Sequence, residues 1–127
     1  MVFEDDKIKV ILFNFAISHR NLLFMLLKNI FTHHVHFWLK NKADHQKLIE
    51  GLNSLTAISH IKQIHIGVPA DTHRSVVDRS YDASLLIIFD NQATHDAYQV
   101  DPIHDFFVES YAGPLCEKIV VQDSVDG

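Results

Sequence analysis

The chain has 127 residues, of which 47% are hydrophobic, and carries a formal net charge of −5 when the histidines are neutral. This length favours one domain with a core of its own, and the negative charge argues against a nucleic acid as partner. The single cysteine, Cys116, excludes an intramolecular disulfide and is typical of a reducing compartment. We therefore predict a cytoplasmic protein in which Cys116 is a buried, unreactive thiol.

Residues 1–30 form an apolar segment that lies outside the clearly patterned part of the sequence. Polar residues such as Asn14 and Arg20 interrupt it, so no run reaches the roughly 18 apolar residues of a membrane span. Its acidic beginning is unlike a secretory signal, and we expect no membrane association. We interpret it either as an N-terminal extension from a mis-assigned start, with the natural product beginning at Met25, or as an additional strand or helix.

The patterned part begins with a strand. The alternation over residues 31–40 predicts it, because successive side chains of a strand point to opposite faces. Neither face is purely polar, so we expect both faces to be covered. One face carries His33, Val35, Phe37 and Leu39, and the other carries His34, His36, Trp38 and Lys40.

A helix is predicted next, over residues 44–58. Its leucines recur at the spacing of one helix face, and Asp44 precedes them as the expected N-cap. The stripe consists of Leu48, Leu52 and Leu55.

Two strands separated by a polar loop follow this helix. The first covers residues 60–67 and ends at Gly67, and the loop covers residues 68–80. The second, over residues 81–90, is the most apolar segment, which predicts a central strand buried on two sides.

A proline breaks the helical pattern after this strand. Asn91 is a suitable N-cap for a helix that ends near Val100. Asp101 and Pro102 then predict a new helix, since aspartate is a common N-cap and proline suits the first helical position. The remaining expected elements are this helix over residues 102–111, a stop at Ala112-Gly113-Pro114, and a strand over residues 116–124.

The resulting order is β-α-β-β-α-β, which is the ferredoxin-like α+β plan with an antiparallel sheet. In this plan the helices cover one face of the sheet and leave the other bare. Trp38 and further apolar groups of the first and third strands lie on the bare face, and a monomer rarely exposes such a surface. We therefore predict a homodimer whose two sheets lie face to face.

Three segments, HHVHFWLK, HIGVPADTHRSVVDRSYDASLLIIFD and HDAYQVDPIHDFF, resemble the stress-responsive A/B barrel family, also called Dabb. The likeness covers residues 31–124 as the domain, with residues 1–30 as an extension and residues 125–127 as a tail. It implies a ferredoxin-like chain that pairs into a dimeric α+β barrel. Most members of the family have no assigned activity, so it implies a stress-responsive A/B barrel protein of unassigned activity.

The resemblance also implies a site. A plant polyketide cyclase of the family closes a linear polyketide by a cofactor-free intramolecular aldol reaction. It uses a tyrosine and a histidine on the broken helix and a histidine that opens the first strand; the matching residues here are Tyr98, His104 and His33. The family commonly has the pattern Y-x-x-H-P-x-H. This chain has Asp101 in place of the first histidine of the pattern, a departure that should leave His104 in place.

In such chemistry a neutral His104 would remove a proton next to a carbonyl group. Tyr98 would donate to the developing oxyanion, and His33 would reach the same space from the strand. We expect the partner to be a small apolar or carbonyl-containing ligand, with no cofactor and no metal. The expected ligand-binding residues are Val35, Phe37 and Phe107.

Each of these residues also has a purely structural interpretation. His104 would then be a helix-start residue bonded to Asp101 or to backbone, Tyr98 a packed aromatic, and His33 a member of a polar network. The corresponding function is non-catalytic binding of a small ligand by a stress-related homodimer.

A haem or metal protein is a third hypothesis. His34 and His36 are two apart on one strand face, which permits chelation, and His65 is the candidate third ligand. The alternative is that His34 and His36 fill the dimer interface beside Trp38.

Overall fold

Strands and helices follow one another in the predicted order within residues 25–127, which the computed structural model describes. The interpretations of residues 1–24 lie outside this range. Turns of 3-10 type flank the first helix at Lys42–Asp44 and Leu55–Ala57, and a π turn spans Val108–Ala112. The main elements are β1 (Phe31–Leu39), α1 (His45–Ser54), β2 (Gln63–Gly67), β3 (Ala83–Phe89), α2 (Gln92–Gln99), α3 (Pro102–Phe107), α4 (Gly113–Leu115) and β4 (Cys116–Val125).

The four strands form one antiparallel sheet in the order β2-β3-β1-β4. The register places Val35 of β1 opposite Leu85 of β3 and Val121 of β4. Every second residue of β1 and β3 is buried, which marks the face that the helices cover. This arrangement confirms the predicted ferredoxin-like plan.

The core lies between this face and α1. The predicted leucine stripe of Leu48, Leu52 and Leu55 is completely buried, and it belongs to one cluster with Phe37 and Leu85 of the sheet. Removing such side chains from water is the main stabilising contribution to the fold.

The opposite face of the sheet is only partly covered within one chain. Leu86 and Ile88 of β3 and Trp38 of β1 are half-buried there, so the strand predicted to be buried on two sides is buried on one. The Trp38 Nε1 donates a hydrogen bond to Ser80 Oγ (3.0 Å), and Lys118 Nζ lies 4.5 Å from the centre of the indole ring.

The start of the first helical segment differs from the prediction. Asp44 makes no capping hydrogen bond, because it lies inside a 3-10 turn with φ −85° and ψ 9° instead of the extended backbone of a cap. The cap is Asn41, which is extended and whose side chain accepts a hydrogen bond from the Ala43 N–H (3.0 Å). The helical chain therefore begins three residues earlier than expected.

The capping predictions around the proline break are confirmed. The Asn91 side chain accepts a hydrogen bond from the Thr94 N–H (3.0 Å), and Thr94 completes a capping box. Asp101 is extended, its side chain accepts from the Ile103 N–H (2.8 Å), and a proline occupies the first helical position. The break therefore starts a new helix that carries His104.

The predicted stop at Ala112-Gly113-Pro114 is wrong. The chain stays helical to Leu115, after a π turn in which the Gly113 N–H bonds to the Val108 carbonyl. Gly113 has a helical φ of −61°, not the left-handed conformation that ends many helices. In an α-helix the proline ring would clash with the carbonyl group four residues earlier, and the wider π turn relieves this clash.

Candidate functional site

A cavity of about 250 Å³ lies between the helix-covered face of the sheet and the broken helix. Its wall is mainly apolar and includes Ile119 and Val121 of β4. All the site residues predicted from the sequence line this cavity, although their roles remain predictions. These are His33, Val35, Phe37, Tyr98, His104 and Phe107.

Tyr98 and His104 are neighbours on this wall. Their ring centres are 4.7 Å apart and the rings meet edge to face. Tyr98 is almost completely buried, and its ring centre also lies 5.7 Å from that of His33. The Tyr98 ring is therefore a neighbour of both histidines.

Burial gives His104 a neutral ring near pH 7. It lowers the pKa of His104 from 6.5 and outweighs Asp105 and Asp101, which raise it. The Nδ1 atom is buried and has no hydrogen-bond partner among residues 25–127. The side chain of Asp101 bonds to the Ile103 N–H instead, so His104 is not bonded to Asp101. A hydrogen bond with the backbone of Gln99 raises the pKa of His104 and fits the other structural interpretation, a bond to backbone.

Burial also controls Tyr98. It raises the pKa of the Tyr98 hydroxyl well above its usual range, so the group keeps its proton throughout the neutral pH range. A protonated phenol is a hydrogen-bond donor, which suits it to stabilise a developing oxyanion.

His33 lies in a polar network beside the cavity. Its Nδ1 is 2.6 Å from Oδ1 of Asp123, and the other carboxylate oxygen is 3.9 Å from Nε2 of His95. The Nδ1 of His95 is in turn 3.0 Å from Oδ1 of Asp96. Burial lowers the pKa of His33, and the bond to Asp123 opposes this effect. The network therefore links β1, α2 and β4.

Sequence reasoning missed His95, Asp96 and Asp123. The one local signal concerns His95, which is three residues before Tyr98 on the same helix face. Asp123 is in phase with Val121 along β4, but this alternation alone does not distinguish it from a solvated residue, and no local pattern indicates Asp96. Together with His33, the missed His95 and Asp123 have ligand atoms that all lie within 4.8 Å of one another, the one such set of three in the described range.

The other predicted metal ligands do not assemble in this way. His34 and His36 lie together on the partly covered face, with ring centres 4.4 Å apart. His65 shares that face, but Leu86 of β3 separates it from His34, and the three histidines form no ligand cluster within residues 25–127. Burial raises the pKa of Cys116 to about 11, so its thiol stays protonated at neutral pH.

Asp101→Ala is expected to lower the free energy of unfolding by about 1 kcal/mol, the usual cost of losing an N-cap side chain. The loss follows because the Ile103 N–H loses its partner at the start of α3. Urea denaturation checks this value, and Asp105→Ala, an exposed position of the same helix, is the control. Equal stability of the Asp101 variant and the wild type would contradict the capping role.

A four-stranded antiparallel sheet with helices on one face defines a ferredoxin-like α+β protein. The family model of Dabb, the Stress responsive A/B Barrel Domain, matches residues 31–126. The chain belongs to this family. A search of curated proteins finds no match. Within residues 25–127, no helix has the length and apolar character needed to cross a membrane.

Solved structures with the same fold agree with this assignment. A Dabb family protein from Mesorhizobium loti is 22% identical with a TM-score of 0.65, and the match covers 77% of this chain and 97% of that one. A dimeric ferredoxin-like protein from Jannaschia sp. is 20% identical with a TM-score of 0.65, covering 76% and 99%. The hydroxynitrile lyase from Passiflora edulis is 22% identical with a TM-score of 0.64, covering 80% and 96%.

Proposed function

We propose that this chain is a homodimeric enzyme that binds a small, mainly apolar carbonyl compound in the cavity and performs acid/base chemistry on it. One observation carries the proposal: a neutral His104 ring lies against Tyr98 on the cavity wall, and its buried Nδ1 has no hydrogen-bond partner in the part of the chain that the structure describes. An unpaired buried polar atom costs about 1–3 kcal/mol, so native proteins contain few of them.

The chemistry follows from the two side chains. The neutral imidazole of His104 takes a proton from the carbon next to the carbonyl group, and the electron pair of the broken C–H bond moves onto the carbonyl oxygen. The Tyr98 hydroxyl donates a hydrogen bond to that oxygen. The carbon of the resulting enolate attacks a second carbonyl carbon of the same molecule. The new C–C bond forms as the π bond of that carbonyl breaks, and its oxygen takes the proton that His104 removed, which gives the alcohol of a cyclase-like aldol reaction and restores the neutral imidazole.

The Passiflora edulis neighbour widens the range of substrates worth testing. Its name, hydroxynitrile lyase, describes a reaction that also needs a base, because breaking a hydroxynitrile into a carbonyl compound and cyanide removes the hydroxyl proton. The likeness at 22% identity extends to the fold alone, so the hydroxynitrile enters as a test compound.

Non-catalytic ligand binding is the second candidate function. The observation that favours it is the open side of the cavity, where Ile119 and Val121 are 42% and 50% exposed in the single chain. A site open to water stabilises charge in a transition state less than a closed one does. A binder would retain ligand and convert none of the test compounds.

The enzyme hypothesis is tested with a panel of a linear polyketide thioester and aliphatic and aromatic hydroxynitriles. We expect turnover of at least one compound, with kcat/KM falling on the acid side through a midpoint that lies below pH 6.5. The sign follows because the neutral form is active and the pKa of His104 is lowered from 6.5. An acid limb centred above pH 6.5, or no turnover of any compound, would contradict the proposal.

The homodimer is supported by the half-buried apolar groups on the bare face and by the dimeric neighbours. Native mass spectrometry should give twice the chain mass of 14.6 kDa. Trp38→Glu is expected to shift the protein to monomer, because it places a charge in the predicted interface. Val76→Glu, on an 80% exposed loop residue, is the control and should stay dimeric. A monomeric wild type would refute the interface; a cytoplasmic location stays a separate prediction.

A further inference from the structure

We propose that His33, His95 and Asp123 form a binding site for a divalent transition-metal ion beside the cavity. The two imidazoles and the carboxylate come from β1, α2 and β4, and their ligand atoms all lie within 4.8 Å of one another. Both histidines are buried, at 5% and 9% exposure, so they are held in place and partly shielded from water. The inference does not depend on the proposed catalysis.

The surroundings of His95 are those of a metal ligand. A ligating histidine commonly donates its other ring N–H to a carboxylate, which orients the ring and strengthens it as a ligand. His95 does this: its Nδ1 is 3.0 Å from Oδ1 of Asp96, which leaves Nε2 directed towards Asp123, 3.9 Å from Oδ2. Phe31 stacks on the imidazole with ring centres 4.4 Å apart and fixes its plane.

The bond between His33 and Asp123 shows what the ion would replace. The 2.6 Å between Nδ1 and Oδ1 is a hydrogen bond with a proton between the two atoms. Two ligands of one tetrahedral zinc ion stand about 3.3 Å apart, given metal–ligand distances near 2.0 Å. An ion would therefore displace this proton and push the two atoms apart by less than 1 Å. The Asp123 side chain can move this far because it is 39% exposed on an edge strand.

The side chain of Gln99 would have to move for an ion to bind. Its side-chain nitrogen lies 3.4 Å from Nε2 of His95, the atom that would bind the ion. Gln99 lines the cavity, so its amide has space into which it can turn. Its departure would leave a coordination position open towards the cavity.

The donor set selects the class of ion. Two imidazoles and one carboxylate suit zinc or iron(II), whereas calcium and magnesium prefer oxygen ligands throughout. Three protein ligands with an open fourth position are typical of metal sites that accept water or a small ligand.

The test is isothermal titration of ZnCl₂ into the chelator-treated, tag-free full chain. We expect one ion per chain with a dissociation constant in the micromolar range or tighter. His95→Ala should weaken binding more than about 100-fold through the lost ligand, and Asp96→Asn about 10–100-fold through the lost partner of His95. His73→Ala is the matched control and should leave the zinc affinity unchanged. His73 lies as close to a carboxylate as His33 does, 2.6 Å from Asp71, but on an exposed loop.

Three results would overturn the proposal: no zinc binding by the wild type, full affinity in His95→Ala, or loss of affinity in His34→Ala, which would assign the ion to the opposite face of the sheet. Circular dichroism verifies that each variant is folded. Should His95→Ala fail to fold, Asp123→Asn replaces it, because Asp123 is exposed on the edge strand. Zinc binding is measured without substrate, so this test and the turnover test fail independently.

Discussion

His104→Ala is expected to lower kcat/KM by about 100- to 10,000-fold on any compound that the wild type converts, the usual contribution of a positioned general base. The ring centre of His104 lies 4.7 Å from that of Tyr98 on the cavity wall, whereas His33, the other histidine beside Tyr98, is farther away and is bonded to Asp123. The fold should survive, because truncation also removes the buried Nδ1, for which residues 25–127 provide no hydrogen-bond partner. Steady-state kinetics and thermal denaturation of the same preparation measure both effects.

The control for this prediction is His60→Ala, at an exposed position outside the cavity, which should keep wild-type kinetics. A decrease smaller than about tenfold in the His104 variant would show that another group is the base. If the variant changes only the affinity for a retained ligand, the non-catalytic hypothesis replaces the enzymatic one.

Gly51→Ala is expected to reduce the free energy of unfolding by about 1–3 kcal/mol, the usual cost of overpacking a core. A Cβ atom at Gly51 would lie 2.6 Å from Cδ1 and 2.8 Å from Cβ of Tyr111, closer than carbon atoms approach each other. Tyr111 has little room to withdraw, because its ring stacks on Phe107 with centres 6.4 Å apart. The side chains that would move include Phe107 of the cavity wall, so ligand affinity should fall as well.

The sign of this effect is diagnostic. In an unobstructed helix, alanine is more favourable than glycine by about 1 kcal/mol, so Gly51→Ala would stabilise α1 if the site had space. Urea denaturation measures the change, and Asn53→Ala, exposed on the same helix, is the control. A stabilised Gly51 variant would disprove the close packing of α1 against the π turn.

Local patterns in the sequence were sufficient for most of the fold. The alternation of β1 placed His33, Val35 and Phe37 on the helix-covered face. Successive side chains of a strand point to opposite faces, so once one face is known to be buried, the face of every residue is determined. The caps at Asn91 and Asp101 fixed where the broken helix stops and restarts. Together with the family resemblance, these patterns placed the predicted site residues on one wall.

Contacts between distant segments were beyond these patterns. Asp123 bonds to His33 across 90 residues of sequence, and nothing local distinguishes it from a solvated aspartate on an edge strand. Asp44 and Asn41 are equally suitable N-caps by residue type. The helical chain begins with a 3-10 turn over Lys42–Asp44, so Asn41 is the cap and Asp44 lies inside the turn. The Gly113-Pro114 pair is a helix stop by local rules, yet the chain stays helical there after the π turn.

The π turn has a consequence for how the cavity is built. Phe107 and Ala112 both line the cavity and are both buried, five residues apart, whereas in an uninterrupted α-helix residues 107 and 111 would share a face. The turn acts as a one-residue insertion that rotates everything after Phe107 by about 100°. It moves the bulky Tyr111 ring towards α1 and leaves the small Ala112 at the wall. The volume available to a ligand at this point therefore depends on helical phase as well as on side-chain identity. A single-residue deletion within residues 108–110 would remove the insertion and leave Ala112 four residues after Phe107, on the same face of an uninterrupted α-helix.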